Sequence, residues 1–467
     1  MITLLQALPL LLLLGLLASG RAAPVPACLL ALLAALPGVA LALPPGLPLP
    51  RFLLAESLRA AFLGIQPVVI LAGGLLFSLA VAPRVDEPVP PSPRRIYLMV
   101  LAGCFVESVT GFAVGTVFTL GALRAMGVRG APGGLLAMLS LWLVPWGGLG
   151  PGLALGAALA GRPVAELSIV TALPQAAWLI CLPPVAWRAM ESAGLPVPGR
   201  ERLAQLGLQA ALAGLVLLGA RFLPAETVAL VASGAVLLPA LWRLAPPRDA
   251  AARVRALAAL GPWALLSACL LLARSWHGAP AWRPYGDLPA VPVTHVAVVL
   301  WLVSLGFLAA LPDGAARLRD AMRRMRRPAA AMMLYVLLGR WIAGSGVATA
   351  LAGAIVESLG PLAPFAIPPL GFLAGMVTGS NVGAASSLMA VQTGLGLAAG
   401  LPPWLAPGLH NFAGSVGAMH SFANTAMACG LLADGTRPAD LWRAALPVVL
   451  AAMAVGWAAV ALLPVLL

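Results

Sequence analysis

Fifteen acidic side chains are few enough to weigh one at a time. Asp86, Glu87, Glu191, Glu201, Asp249, Asp313, Asp320, Asp434 and Asp440 read as loop residues, and Glu166 and Glu357 sit near the ends of apolar runs, at an interface with water. Glu107 is different. It lies inside Gly103-Cys104-Phe105-Val106-Glu107-Ser108-Val109-Thr110-Gly111-Phe112, and the nearest arginines on either side are Arg95 and Arg124. Ionising a carboxyl group in the middle of an apolar run is costly, so such a group can take up and release a proton. The competing reading is a structural acid, protonated or held by hydrogen bonds. Arg340 lies about twelve residues into an apolar run that starts at 329. An arginine at that depth must face a cavity or a partner. Its planar fork matches a carboxylate, which makes it a candidate to hold an acidic substrate. Alternatively the helix starts later and Arg340 reaches back to an interface.

Two further stretches are polar for their place. Residues 408–425 carry His410, Asn411, Ser415, His420, Ser421, Asn424 and Thr425 with Gly408, Gly414 and Gly417 between them. Asn411, Ser415 and His420 do not share one helical face, so a lined cavity or a break fits as well as a stripe. No His-Glu-x-x-His occurs, and no metal or cofactor motif is found. The other stretch is Thr378-Gly379-Ser380-Asn381-Val382-Gly383. Backbone N–H groups at helix starts here and near Thr110-Gly111 could hold a carboxylate without any cation. Small residues at those tips permit the close approach.

These groups must be positioned by elements inside a membrane. The chain has 467 residues, 61% hydrophobic and 9% charged. Soluble domains carry roughly 25% charged residues and about 45–50% apolar ones. A soluble enzyme, a nucleic-acid binder and a disordered tail are therefore excluded. The net charge of +13 comes from 28 basic residues that are all arginine. They cluster in short segments between apolar runs, as the positive-inside rule describes. Without lysine there is no phosphate-loop ATPase and no Schiff-base chemistry. Cys28, Cys104, Cys181, Cys269 and Cys429 are scattered and act as small hydrophobes.

Apolar runs predict twelve spans: 2–19, 27–43, 63–82, 131–160, 164–187, 203–220, 225–243, 257–273, 293–311, 329–358, 402–432 and 443–466. Residues 1–20 lack a basic start and read as a retained first span. Arg317, Arg319, Arg323, Arg324, Arg326 and Arg327 place the loop 312–328 in the cytoplasm, and the arginines of 188–202 and 244–256 agree. The linkers 83–95 and 121–130 are both basic, so the stretch 96–120 should enter and leave on one side. At about 1.5 Å per residue it makes one full span or two half-length helices. The arginines favour the second, a re-entrant hairpin. The stretch 364–398 reads as a second hairpin hung from the other side, and the pair suggests an inverted repeat. Ordinary spans with polar kinks are the alternative.

Three stretches resemble the lactate permease family of bacterial lactate and glycolate transporters. Gly103-x-Phe105-x-Glu107-x-x-x-Gly111-Phe112 resembles the family's G-x-F-L-E-G-A-A-G-F. Gly371-Phe372-Leu373 through Thr378-Gly379-Ser380-Asn381 to Gln392 resembles its G-W-L-G-x-F-x-T-G-S-D-T-S-S-N-x-L-F-x-x-L-Q. Asn411-x-x-Gly414-x-x-Gly417-x-Met419 resembles its N-x-x-G-G-x-x-G-K-M. Order and spacing are kept over roughly 96–432. The chain departs where the family aspartate falls at Asn381, its asparagine at Ala385, its lysine at Ala418 and its proline at Phe422.

The sequence thus predicts an all-α polytopic membrane protein with about twelve transmembrane helices plus two re-entrant hairpins. It reads as one transporter domain over 1–467, with halves 1–256 and 257–467. The resemblance implies a secondary transporter of the cell inner membrane that imports a small monocarboxylate with a proton. Glu107 would carry the proton. Thr110, Gly111, Thr378, Gly379, Ser380, Asn381, Asn411, Ser415, His420 and Arg340 would surround the substrate. A passive facilitator for small organic anions and a Na⁺-coupled transporter are the alternatives, and self-association into a homo-oligomer is left open. An integral-membrane enzyme finds no D-D-x-x-D or G-x-S-x-G motif.

Overall fold

Glycine and proline punctuate an otherwise helix-forming chain, and the helices stop where those residues cluster. The computed structural model describes residues 2–19, 21–81, 90–111, 113–244, 246–276 and 278–466. Arg84, Asp86 and Glu87 of the first basic linker, and Phe112, lie outside the described residues.

Helices α1 (Ile2–Ala18) and α2 (Pro24–Ala42) pack together, Gly38 leaving room for the backbone of Leu5. Helix α3 (Leu49–Val81) begins well before the expected run 63–82. Its first turns carry Glu56 and Arg59, which hydropathy alone assigns to a loop.

A first unit then follows. Ser92 caps α4 (Pro93–Thr110), its Oγ accepting the N–H of Arg95 at 3.3 Å. The helix stops at Gly111, whose φ of 65° is natural only for glycine. Helix α5 (Val114–Ala125) turns back along α4, with Gly115 against the backbone of Gly103 and the Thr119 hydroxyl donating to the Met99 carbonyl at 3.3 Å. Helix α6 (Gly130–Met138) runs through a 3-10 turn into an irregular stretch around residues 144–150, after which α7 (Pro151–Ala160) starts. The expected continuous span 131–160 is thus broken. Pro145 and Pro151 cannot continue a helix, and Gly148 and Gly150 take φ of 58° and 73°. Helix α8 (Val164–Cys181) and the short α9 (Pro183–Ser192) complete the unit.

Helices α10 (Gly199–Phe222), α11 (Val228–Leu244) and α12 (Ala250–Ser275) lead to a two-stranded antiparallel hairpin, β1 (Ala281–Trp282) and β2 (Val291–Pro292), and then α13 (Val296–Ala309). Helix α14 (Gly314–Ser345) contains the arginine-rich segment 312–328 almost entirely, so the expected loop is a helix. Its charges sit one turn apart as Asp313–Arg317 (2.8 Å) and Asp320–Arg324 (2.7 Å), a spacing that supports a helix rather than interrupting it. The expected span 329–358 breaks at Gly346 (φ 90°), after which α15 (Val347–Leu359) begins.

The second unit repeats the order of the first. Helix α16 (Ile367–Thr378) ends at Gly379 (φ 75°), and α17 (Asn381–Ala398) starts behind a Ser380 cap. Helix α18 (Leu405–Met419) breaks at His420-Ser421, α19 (Phe422–Leu432) continues, and α20 (Pro438–Leu466) follows. The expected span 402–432 is therefore also two helices. Across the two units, α7 lies on α17 and α19 on α5, and α8 on α18 and α20 on α6, whereas the close contact of α16 with α18 has no equal between α4 and α6.

Helix α16 lies close along α18. Gly371 and Gly375 meet the α18 backbone at His410 and Gly414, and Gly417 meets Phe372, leaving no room for a Cβ. Small residues at such crossings let backbones touch where lipid offers no hydrophobic drive between helices. Among the described residues, seven helical stretches are long and apolar enough to cross a membrane, and the bent α12 makes an eighth. The count falls short of the expected twelve because 131–160 and 402–432 are interrupted, while α1 and α13 are short.

Candidate functional site

The breaks in the two units meet. A cavity of about 210 Å³ is lined by Glu107, Gly111, Gly147, Gly152, Asn381 and Asn424, among other residues of the same four breaks. Pockets for drug-sized ligands hold about 300 Å³ or more, so this cavity fits a molecule of few heavy atoms.

Glycine makes the convergence possible. A Cβ on Gly148 would lie 3.2 Å from the Cα of Gly111, and one on Gly152 would lie 2.7 Å from the Asn381 amide. Helices α5, α7, α17 and α19 all start at this point, so their first N–H groups and positive dipole ends face one small volume. Ser380 Oγ accepts from Gly383 N–H at 2.9 Å, and Ser421 Oγ from Asn424 N–H at 3.2 Å. Helix α7 has no side-chain cap.

Glu107 caps α5. Its Oε1 accepts the N–H of Ala113 at 3.2 Å and its Oε2 the N–H of Gly115 at 3.0 Å. The side chain is buried. Among the described lining residues it is the single ionisable group, and no arginine lines the cavity.

Behind the cavity wall, Asn381 donates to Asn411 Oδ1 at 2.8 Å, and Asn411 donates to Thr171 Oγ1 at 3.1 Å. Asn381 Oδ1 is buried without a partner among the described residues. A buried amide oxygen without a partner can accept one more hydrogen bond.

The structure brings Glu107, Gly111, Gly379, Ser380 and Asn381 to the lining, with Asn411 one layer behind. It leaves the others out. Thr110 and Thr378 spend their hydroxyl protons on the carbonyls of Val106 (2.9 Å) and Ala374 (2.6 Å) of their own helices. Ser415 does the same with Asn411, and the His420 ring donates to the Val416 carbonyl at 2.8 Å. Arg340 is not among the residues that line the cavity and forms a buried ion pair with Glu56. Helix α14 starts fifteen residues before the apolar run does, so Arg340 sits near its far end rather than at its centre. Sequence reasoning missed Glu56 and the whole 147–152 segment. Its signal was present in Gly147-Gly148-Leu149-Gly150-Pro151-Gly152, too many breakers for one span.

Outside the cavity, loop groups tie the units together. Asp434 accepts the N–H of Gly130 at 2.7 Å, and Arg124 donates to the Leu431 carbonyl at 2.5 Å. The hydrogen bonds from Thr436 and Gly130 hold the Asp434 carboxyl below its ordinary value.

Apolar helices of spanning length, interrupted by breaks that meet at a small cavity, fit an all-α polytopic membrane protein. Residues 291–466 match the family model described as L-lactate permease. Over that part the chain is similar to the lactate permease family, which is a family of transporters and not of enzymes. The match takes in the second unit, α16 to α20, while Glu107 and the first unit lie outside it. No curated protein matches the chain.

Proposed function

We propose that the protein is a secondary active transporter of the inner membrane that imports a small monocarboxylate, a 2-hydroxy acid such as lactate or glycolate, together with a proton. The observation that carries this reading is the composition of the cavity: four helix starts, one carboxyl group and no arginine. A carboxylate substrate is attracted by the helix N-termini but repelled by an ionised Glu107 a few ångströms away. The repulsion is removed when one proton accompanies the anion, so charge balance itself couples the two fluxes. Protonating Glu107 also weakens its hold on Ala113 and Gly115, because a neutral acid is a poorer acceptor for N–H groups than a carboxylate. The start of α5 would thereby sense the proton.

In this reading the units 93–192 and 367–466 are inverted repeats, and α4–α5 and α16–α17 are re-entrant hairpins from opposite faces. The antiparallel packing of each pair about a glycine supports it. The broken helices α6–α7 and α18–α19 would count among about twelve crossings, and alternating access would move the hairpin-bearing parts against the rest.

The test is uptake of labelled lactate, glycolate and related short acids into proteoliposomes under an imposed pH gradient. The intact protein should accumulate substrate when the lumen is alkaline. Glu107→Gln keeps one oxygen acceptor for the α5 cap, so it should still exchange substrate but lose accumulation. Unchanged pH-driven accumulation in this variant would remove the proton role. Accumulation driven by Na⁺ alone would replace the coupling ion, and equilibration without accumulation would make the protein a facilitator.

A further inference from the structure

A second and larger groove, about 870 Å³, runs between α4, α10 and α11 and shares no lining residue with the first cavity. One end carries Arg94 at the start of α4, Arg200 at the start of α10 and Arg243 in the last turn of α11. All three are exposed, and none has a carboxylate within ion-pair distance among the described residues. Nearby polar groups are already committed to holding the helices together. Tyr97 donates to Gln209 at 2.7 Å, and Gln205 donates to the Pro93 carbonyl at 3.3 Å and to Glu201 at 3.2 Å. Glu201 is the one acid in the groove lining, so the three arginines leave an excess of positive charge.

From the arginines the groove continues along small and apolar residues, Gly207, Ala211 and Leu215 of α10 and Ala235 and Val236 of α11. From Arg200 to Leu215 the wall is about 22 Å long at 1.5 Å per residue. We propose that this groove is a binding site for an anionic phospholipid, with the headgroup phosphate on Arg94, Arg200 and Arg243 and an acyl chain along the wall. A free phosphate would use the arginines but would have no use for the wall. The arginine end belongs to the segments that the positive-inside rule assigns to the cytoplasm, where the leaflet is rich in anionic lipid. The site rests on the membrane placement of these helices and not on the substrate or the coupling ion.

Native mass spectrometry and thermal unfolding of the full chain in detergent, with phosphatidylglycerol, phosphatidylcholine or inorganic phosphate added, test it. Phosphatidylglycerol should remain bound and raise the melting temperature. Phosphatidylcholine and inorganic phosphate should do neither. The R94Q/R200Q/R243Q variant should bind phosphatidylglycerol at least tenfold more weakly, while the equally charge-depleted R319Q/R323Q/R326Q variant on α14 should bind it as before. Gly207 has open space where a Cβ would stand. Gly207→Leu should therefore block the groove and weaken binding with all three arginines intact. Equal binding in the first triple variant, equal binding of phosphatidylcholine, or undiminished binding in Gly207→Leu would each overturn the proposal. Full competition by inorganic phosphate would make it a phosphate site instead.

Discussion

Arg340 offers a sharp test, because the sequence suggested a substrate ligand and the structure gives it a different partner. Its guanidinium reaches Glu56 across 284 residues of sequence, with Nε at 2.8 Å from Oε2. The side chains are 12% and 9% exposed, so neither charge has much water. Removing one partner of a buried pair costs about 3–5 kcal/mol, because the other charge is left stranded. The surroundings set where each variant falls in that range. Glu56 also meets Arg59 at 3.1 Å, and Arg59 is 30% exposed. Arg340→Met therefore leaves Glu56 with a second cation, and its cost should sit near the lower end, about 3 kcal/mol. Glu56→Gln leaves Arg340 with no carboxylate partner among the described residues, and its cost should approach about 5 kcal/mol. The E56Q/R340M double variant strands no charge. It should be more stable than E56Q alone, which requires a coupling larger than the cost of R340M, above about 3 kcal/mol, in the double-mutant cycle. Thermal unfolding of the four proteins in one detergent measures the cycle, and substrate binding is measured alongside. Additive losses of stability would refute the pair. So would an Arg340→Met protein of unchanged stability that had lost substrate affinity.

Other expectations concern packing, loops and topology. A Cβ on Gly375 would lie 1.9 Å from the Gly414 carbonyl. Gly375→Ala should therefore force α16 and α18 apart and cost about 1–3 kcal/mol. Gly121→Ala, which meets nothing within 4 Å, should be neutral in the same melting assay. The lowered titration of Asp434 means its tie to Gly130 is present above the ordinary carboxylate value and is lost as pH falls through the lowered one. Hydrogen exchange at Gly130 should speed up in Asp434→Asn at neutral pH and in the intact protein only under acid; loss of protection on raising the pH would reverse the sign. Cysteines at Pro90 and Ala125, placed one at a time in a background with Cys181 replaced, should react with an impermeant reagent from the same side. Opposite-side labelling would mean that α4 and α5 do not form a hairpin.

Much of the site was legible because its signals are local. Glu107 stands out by its isolation from other charges, and the residues that hold its carboxylate, Ala113 and Gly115, follow within one turn and a break. Gly111 and Gly379 announced helix ends for the same reason. The 147–152 break was written just as locally, but a hydropathy average smooths over glycine and proline. It therefore reads two half-helices as one span.

Pairing was not legible at all. Hydropathy is a sum over neighbours in sequence, so 9% charged residues in 467 were enough to exclude a soluble protein and to orient segments by their arginines. A charge's partner is instead a neighbour in space. The same arginine reads as a substrate ligand until α3 and α14 are packed together and Glu56 neutralises it. Asn381 likewise acquires meaning only when Gly152 brings α7 against its side chain and Asn411 takes one of its two polar ends. The sequence by itself determined the solvent of this chain, the helix ends at Gly111 and Gly379 and its one isolated acid. Tertiary structure decided which breaks meet and which charges are already spent, because desolvated polar groups must find partners wherever the packing puts them.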